Sequence, residues 1–287
     1  RLKGISQQGL PATHYNRLTH SRFEHSMGVF LLLRKLGAGL EEQISGLLHD
    51  VSHTAFSHVI DVLWGDPSIQ DFQDKKHLEV LESSDVKGIL EKYNFDIKKI
   101  ADCEQFGLLE RDLPDLCADR LDYTLQEVLL RGDSTLAKEL ANHLVVYKNG
   151  IIFNNLELTK TFSKIYLKFN RKYWAGFESV TRYYQLASIL RDALDKNIIN
   201  KKDVWEDDKY VLDKIYKSKD QDLTNRLEML KDKVTTVRFN VVQPKKSRYV
   251  DPEILIDNKL TRLSLLDKDY AALLESEREK STKDMII

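Results

Sequence analysis

The sequence predicts a mainly α-helical protein with one small β-hairpin and a C-terminal α+β lobe. Three observations carry that reading. Apolar residues recur at helical spacing through much of the N-terminal half, Asn149-Gly150 separates two β-type runs, and β-branched residues alternate over residues 234–242.

The elements follow in chain order. Ser21 and Glu24 make a capping box ahead of the apolar series Phe23, Met27, Phe30 and Leu31, so a helix starts after Ser21, and Gly37 and Gly39 end it. A second helix begins near Glu41, with acidic residues in its first turn where the dipole favours them. It runs through Ile44, Leu47 and Leu48 and brings His49 and Asp50 to its C-terminal end. A third, short helix is expected over residues 56–63, stopping before Gly65-Asp66-Pro67. Residues 71–76 are polar and aperiodic and read as a surface loop before a helix over 77–81. Past Pro114 a helix runs to about residue 130 and ends at Gly132. Residues 144–153 form the hairpin, turning on Asn149-Gly150. Residues 166–194 return to helix, where Trp174, Phe177, Tyr183 and Tyr184 read as core. A small sheet is expected from residues 234–242 and the neighbourhood of Tyr249-Val250-Asp251-Pro252.

The length of 287 residues predicts one main domain with an appended lobe: a core over 1–135, a hairpin and helical extension over 136–200, and the C-terminal lobe over 201–287. A net charge of -1 supplies no bulk attraction to nucleic acid or anionic membrane. Two cysteines, Cys103 and Cys117, are too few for a disulfide framework or a cysteine-rich zinc site, and both read as buried packing residues of a cytoplasmic protein. No apolar run approaches the ~20 residues that span a bilayer, and no signal peptide is recognisable. The opening Arg1-Leu2-Lys3-Gly4-Ile5 lacks an initiator methionine and reads like the middle of an element, so upstream residues are expected.

Histidine concentrates the chemistry. Seven of the eight histidines fall between His14 and His77, interleaved with Asp50 and Asp61. Imidazole and carboxylate together suit zinc, iron, manganese or nickel and leave positions open for water or substrate. His49 and Asp50 converge on one point from a helix end. Asp119, Asp122, Tyr123 and Glu127 follow spacings of three and four beside Arg120, which is also the pattern of a solvated charged face.

Three strings are decisive: His20-Ser21-Arg22-Phe23-Glu24-His25-Ser26-Met27-Gly28, then His49-Asp50-Val51-Ser52-His53-Thr54-Ala55-Phe56-Ser57-His58, then Ala118-Asp119-Arg120-Leu121-Asp122-Tyr123. They closely resemble the HD-domain phosphohydrolase superfamily, nearest the deoxynucleoside triphosphate triphosphohydrolase (dGTPase-like) branch. The resemblance spans about residues 7–130 and fades beyond. It implies a helical HD core and a divalent metal held by His25, His49, Asp50 and Asp119. It implies phosphate contacts from Arg22 and Arg120, active-site roles for His53, His58, Asp61 and His77, and substrate contacts from Tyr123, Gln7 and Glu127. His58 and Asp61, three apart on a helix, would let the carboxylate orient the imidazole and hold it protonated as a general acid. A second ion such as magnesium would bridge substrate phosphates to Asp50.

The implied reaction is hydrolysis of a nucleotide, in its sharpest form a dNTP to deoxynucleoside and triphosphate, by a homo-oligomer (dimer or tetramer). The sugar pocket departs from the branch: Gln8 replaces an apolar residue, Glu127 an aspartate, and Phe177 and Ser179 a tyrosine and a histidine. Two alternatives remain open. One is a nucleotide monophosphatase or phosphodiesterase on the same site. The other is a nucleotide-sensing or nucleic-acid-binding module using the basic segments Lys245, Lys246 and Arg248 or Lys196, Lys201 and Lys202.

Overall fold

The computed structural model describes residues 1–15, 17–232 and 248–281, with the short pairs 242–243 and 285–286. A 3-10 turn (Leu2–Gly4) and helix α1 (Ala12–Tyr15) lead into α2 (Arg22–Lys35), α3 (Leu40–Leu48) and α4 (Val59–Trp64). Next come α5 (His77–Glu82), α6 (Asp85–Lys92), α7 (Ile97–Ala101), α8 (Ala118–Leu130) and α9 (Ser134–Asn142). The hairpin β1 (Leu144–Tyr147) and β2 (Gly150–Phe153) is followed by α10 (Leu156–Phe169), a π-helical turn (Asn170–Trp174) and α11 (Phe177–Asp195). The C-terminal part holds α12 (Asp208–Ser218), α13 (Gln221–Met229), β3 (Val242–Gln243), β4 (Glu253–Ile256), β5 (Lys259–Arg262), α14 (Leu263–Leu266), α15 (Lys268–Ser281) and β6 (Met285–Ile286). Each strand pairs antiparallel with one partner, β1 with β2, β3 with β6 and β4 with β5. The mainly α architecture with a hairpin and an α+β C-terminal part is therefore as the sequence predicts.

The capping box forms as expected: the Ser21 hydroxyl accepts from the Glu24 amide while the Glu24 carboxylate accepts from the Ser21 amide. The buried face of α2 is a different one. Phe23 and Leu31 are exposed, and the helix buries Arg22, His25, Ser26, Val29, Leu32 and Leu33 instead. One side of α2 faces a polar site, so an apolar periodicity count misses its inward stripe.

Other boundaries shift for identifiable reasons. The third helix starts at Val59 because Phe56 and Ser57 both take left-handed backbone, which no α-helix accommodates. The 71–76 loop tightens into a 3-10 turn at Asp74–Lys76. The expected helix over 166–194 is two helices, broken by the π turn and Gly176, where a Cβ would strike the Lys172 carbonyl at 2.6 Å. Helices α6, α7 and α9 had no sequence expectation. Residues 249–252 form no strand, the Asp251 amide donating to the Pro114 carbonyl instead, and β4 and β5 fall just after them. Residues 234–241 lie outside the described residues, as do Lys245 and Lys246.

Two large hydrophobic clusters and two smaller ones hold the described residues together. The first joins Leu10, Phe56 and Val59 to Leu186, Leu190, Val211, Ile215 and Leu227. The second joins Val29 and Leu33 of α2 to Leu121 of α8, Phe153 of β2, Phe162 and Tyr166 of α10, and Val250. The core is thus shared by all three predicted segments. The catalytic-looking loop between α3 and α4 is anchored on the first cluster and α2 and α8 on the second, so the site forms where the two meet. Among the described residues no helix is long and apolar enough to cross a membrane.

Candidate metal centre and active site

Helix α2 supplies His25, the C-cap of α3 supplies His49 with Asp50 just beyond it, and the first turn of α8 supplies Asp119. His25 Nε2 lies 3.2 Å from His49 Nε2 and 2.9 Å from Asp119 Oδ1. His49 Nε2 is 3.7 Å from the same carboxylate oxygen. One ligand atom from each of these three residues falls within 4.8 Å of the others, the span of a shared ion. Asp50 closes the fourth side, its oxygens 3.8 Å from His25 Nε2 and 3.6 Å from His49 Nε2.

The donor set fits a divalent transition metal. The His49 Nδ1–H donates to the Gly46 carbonyl at 2.7 Å, which leaves Nε2 as the inward ligand atom. His25 Nδ1 lies 2.7 Å from Asp122 Oδ2, which fixes the other imidazole the same way. Two imidazole nitrogens and carboxylates facing one another within ion-binding distance are a concentration of lone pairs that a cation resolves. Asp119 is the open corner, its side chain 25% exposed while that of His25 is fully buried.

Charge at the centre follows the same geometry. Burial alone would push the imidazole of His25 down, but hydrogen bonds to Asp119 and Asp122 outweigh it and raise its pKa to about 10. Burial pushes His49 down too, and the Asp50 and Asp119 charges reverse that. Burial would raise Asp50 and Asp119, yet Arg22 with the histidines holds the first well below the usual carboxylate range. Bonds from His25 and His49 lower the second.

Around this corner the structure gathers most of the residues implied by the resemblance. Arg22 donates from Nη1 to Asp50 at 2.9 Å and from Nε to Ser57 at 3.0 Å, so its guanidinium sits on this candidate ligand. His53 Nε2 is 3.2 Å from Asp50 Oδ1 but lacks hydrogen-bond alignment, and its ring meets that of His58 edge-on at 5.1 Å. Burial and Arg22 keep His53 well below the ordinary imidazole range. His77 is buried, its Nδ1 3.2 Å from the Ser52 hydroxyl and its Nε2 without a partner, and burial lowers it to about 4.

His58 and Asp61 pair as the spacing suggests, with Nδ1 3.0 Å from Oδ2. Protonation differs from expectation. Burial lowers the His58 pKa more than Asp61 raises it, with Arg22 adding to the decrease, so the carboxylate orients the ring without holding it charged.

Arg120 points elsewhere, donating to Glu110 at 3.0 Å, to the Asp115 carbonyl at 3.2 Å and to the Cys117 sulfur at 3.2 Å. Cys117 is fully buried as expected, whereas Cys103 is only partly so. Tyr123 shares a 2.6 Å hydrogen bond with Tyr166 and packs edge-on against Trp174. Gln7 is half-buried with an unpartnered Oε1.

Glu127 lies apart in charge terms. It is fully buried, 2.9 Å from Arg17 and 2.9 Å from Arg131, and it accepts a further bond from Gln8. Tyr173 is sandwiched between those two arginines, whose guanidinium carbons lie 3.9 and 4.2 Å from its ring centre. Of the substituted pocket positions, Ser179 is buried against Tyr15 and the Tyr173 carbonyl, while Phe177 is half-exposed rather than core.

Sequence reasoning gave no role to Asp122, Glu110, Arg17 or His20. Asp122 had a signal, since it follows Asp119 by one helical turn and so faces the same imidazole. Gly28 confirms the closeness, because a Cβ there would sit 1.9 Å from Asp122 Oδ1. His20 is buried with both ring nitrogens unpartnered and is lowered to about 3 by burial and the charges of His25 and Arg22.

Comparison with known proteins bears on this arrangement. Residues 22–126, which carry all four candidate metal ligands, match the HD domain model. The chain is also 34% identical to the uncharacterised protein YdhJ of Bacillus subtilis, over all of this chain and 90% of that protein. The chain belongs to the HD-domain family. Within it, the metal-dependent phosphohydrolase cns2 of Cordyceps militaris is 29% identical over 72% of this chain, which spans 62% of that protein. The crystal structure of a phosphohydrolase from Bacteroides thetaiotaomicron superposes with a TM-score of 0.69 at 17% identity, covering 99% of this chain and 91% of that one. The likeness of fold to that structure thus extends through the C-terminal part, well beyond the stretch in which the three strings are legible.

Proposed function

We propose that this HD-domain chain is a metal-dependent phosphohydrolase acting on a nucleotide, most specifically one that hydrolyses a dNTP to deoxynucleoside and triphosphate. The convergence of His25, His49, Asp50 and Asp119 on one point is the observation that carries the reading. Those four side chains would hold the ion. When bound, it supplies Lewis acidity at a phosphoryl oxygen and lowers the pKa of water.

The chain's own residues do the rest. Asp122 and the Gly46 carbonyl fix the imidazoles of His25 and His49. Arg22, shared with Asp50, offers a guanidinium to a phosphate placed beside that carboxylate. His53 and His58 form a second, largely neutral imidazole pair, and His77 is a further buried imidazole held near Ser52. The negative charge of an entering phosphate favours protonating His58, which Asp61 holds in place, so that it can donate a proton to the leaving oxygen. Arg120 joins the phosphate contacts only by leaving Glu110.

A second reading, a nucleotide monophosphatase or phosphodiesterase on the same centre, is favoured by Glu127. Its carboxylate is taken up by two arginines and Gln8 and so is not free to read a sugar hydroxyl. A pure nucleotide sensor is disfavoured by the complete ligand set.

The test is product analysis. Metal-loaded protein is incubated with dNTPs, NTPs, nucleoside monophosphates and a generic phosphodiester, with Asp119→Ala as control. Deoxynucleoside and tripolyphosphate from dNTPs alone support the sharpest form. Orthophosphate or a monophosphate moves the substrate class to the second reading. No product above the Asp119→Ala background from any substrate removes the catalytic reading.

A further inference from the structure

A cavity of about 720 Å³ shares no lining residue with the candidate metal ligands. Three half-buried rings line it: Trp64 at the end of α4, Phe72, and Trp205 in the 3-10 turn Asp203–Trp205. Phe72 contacts both indoles, with ring centres 6.2 Å from Trp64 and 6.4 Å from Trp205. Three cations, Arg1, Lys76 and Lys201, face the same space, against one lining carboxylate, Glu79. Glu79 is occupied by Lys76 at 2.8 Å. Lys201 makes no ion pair among the described residues, and its ammonium lies 6.0 Å from the Trp64 ring centre.

This combination specifies a ligand. Indole and phenyl faces bind planar aromatic groups by stacking, and the surplus of positive charge binds an anion on the same molecule. Ser83 and Ser84 also line the cavity, their hydroxyls donating to the Val80 and Leu81 carbonyls. The volume falls in the range of small-molecule sites, roughly 300–1,000 Å³. We propose that this cavity is a second, non-catalytic site that binds a mononucleotide, its base on the Trp64–Phe72–Trp205 surface and its phosphate toward Lys201.

The cavity wall is tied directly to the catalytic loop. The Phe72 amide donates to Asp61 Oδ1 at 3.0 Å, and the other oxygen of Asp61 holds His58. The Ala55 amide donates to the Val204 carbonyl at 2.8 Å, one residue before Trp205. Arg1 donates to the carbonyls of Val51 and His53. A ligand that orders these three linings therefore orders residues 51–61 as well, without touching the metal ligands.

The inference stands apart from the substrate reading, and its test reads binding. Trp174 is replaced by Phe so that fluorescence reports only Trp64 and Trp205, and Asp119→Ala is added so that no probe is turned over. The full chain is then titrated with AMP, with adenosine and with inorganic phosphate. AMP is expected to quench saturably, with adenosine and phosphate each at least about tenfold weaker, because base and charge are recognised together. In the same background Lys201→Glu, an exposed substitution expected to leave the circular dichroism unchanged, is expected to raise the Kd for AMP at least about tenfold. It is also expected to abolish the AMP-induced slowing of amide exchange over residues 51–61. An absence of quenching at millimolar AMP overturns the proposal. So do adenosine binding as tightly as AMP, and AMP binding unchanged by Lys201→Glu, which would assign the nucleotide to the catalytic cleft alone.

Discussion

The two charged clusters on either side of α8 are built from similar parts and do opposite things. At its N-terminal end Asp119 joins His25, His49 and Asp50 so that nitrogens and carboxylates face one another within ion-binding distance. One helical turn before its C-terminus Glu127 is clasped by Arg17 and Arg131, with Tyr173 packed between the guanidinium groups. The first cluster presents ligand atoms at ion-binding spacing with one exposed corner, and the second is closed. The proposed chemistry uses the first. The closed one ties the N-terminal segment and α8 to the π turn, which is a structural task whatever it contributes to a substrate pocket.

The sharpest way to break that contrast is to remove a member of each cluster. Asp119→Ala should abolish metal retention and lower hydrolysis by at least about a thousandfold while leaving the fold intact, read by metal analysis and product formation. Glu127→Ala should do the reverse: metal content stays, but two arginines lose their shared partner and unfolding stability falls by roughly 3 kcal/mol, read by chemical denaturation. Equal damage to metal content from both would erase the distinction.

A milder change sharpens the first cluster. Asp122→Asn keeps the shape but weakens the carboxylate that orients His25, so metal affinity should fall about 10- to 100-fold, measured by competition with a chelator. A value indistinguishable from the parent would reduce Asp122 to packing.

The smallest effect concerns Asp208, which accepts from the amides of Ser6 and Phe56 and so joins the N-terminal segment to the loop between α3 and α4. Burial raises its pKa from 3.8 to about 7, against the pull of those two amides. The folded state therefore holds this proton where the unfolded chain has lost it, so its contribution to stability is full below pH 3.8 and is lost as pH rises through about 7. Melting temperature should decline across that window, and Asp208→Asn should flatten the slope. An unchanged slope would show that another group sets it.

How legible these regions were in the sequence differs for physical reasons. His25, His49, Asp50 and Asp119 could be named as candidate ligands because three short strings carry residue type and order locally, and the structure brings the four side chains together. The capping box at Ser21 and the Asn149-Gly150 hairpin were readable because they are local. The buried face of α2 was not, since that helix turns polar residues inward. Nor was the start of α4, which depends on two left-handed residues that no composition rule anticipates. Arg17 closing on Glu127 across 110 positions, Glu110 holding Arg120, and the aromatic cavity are tertiary facts with no local signature.

The most direct test of the central claim is the metal stoichiometry of the purified chain beside His49→Ala and Asp119→Ala, each first shown to be folded by circular dichroism. The account predicts close to one tightly bound transition metal per chain in the parent and a loss from both variants, with phosphohydrolase activity falling in step. Full metal occupancy in both folded variants would place the ion elsewhere and contradict the assignment of the site.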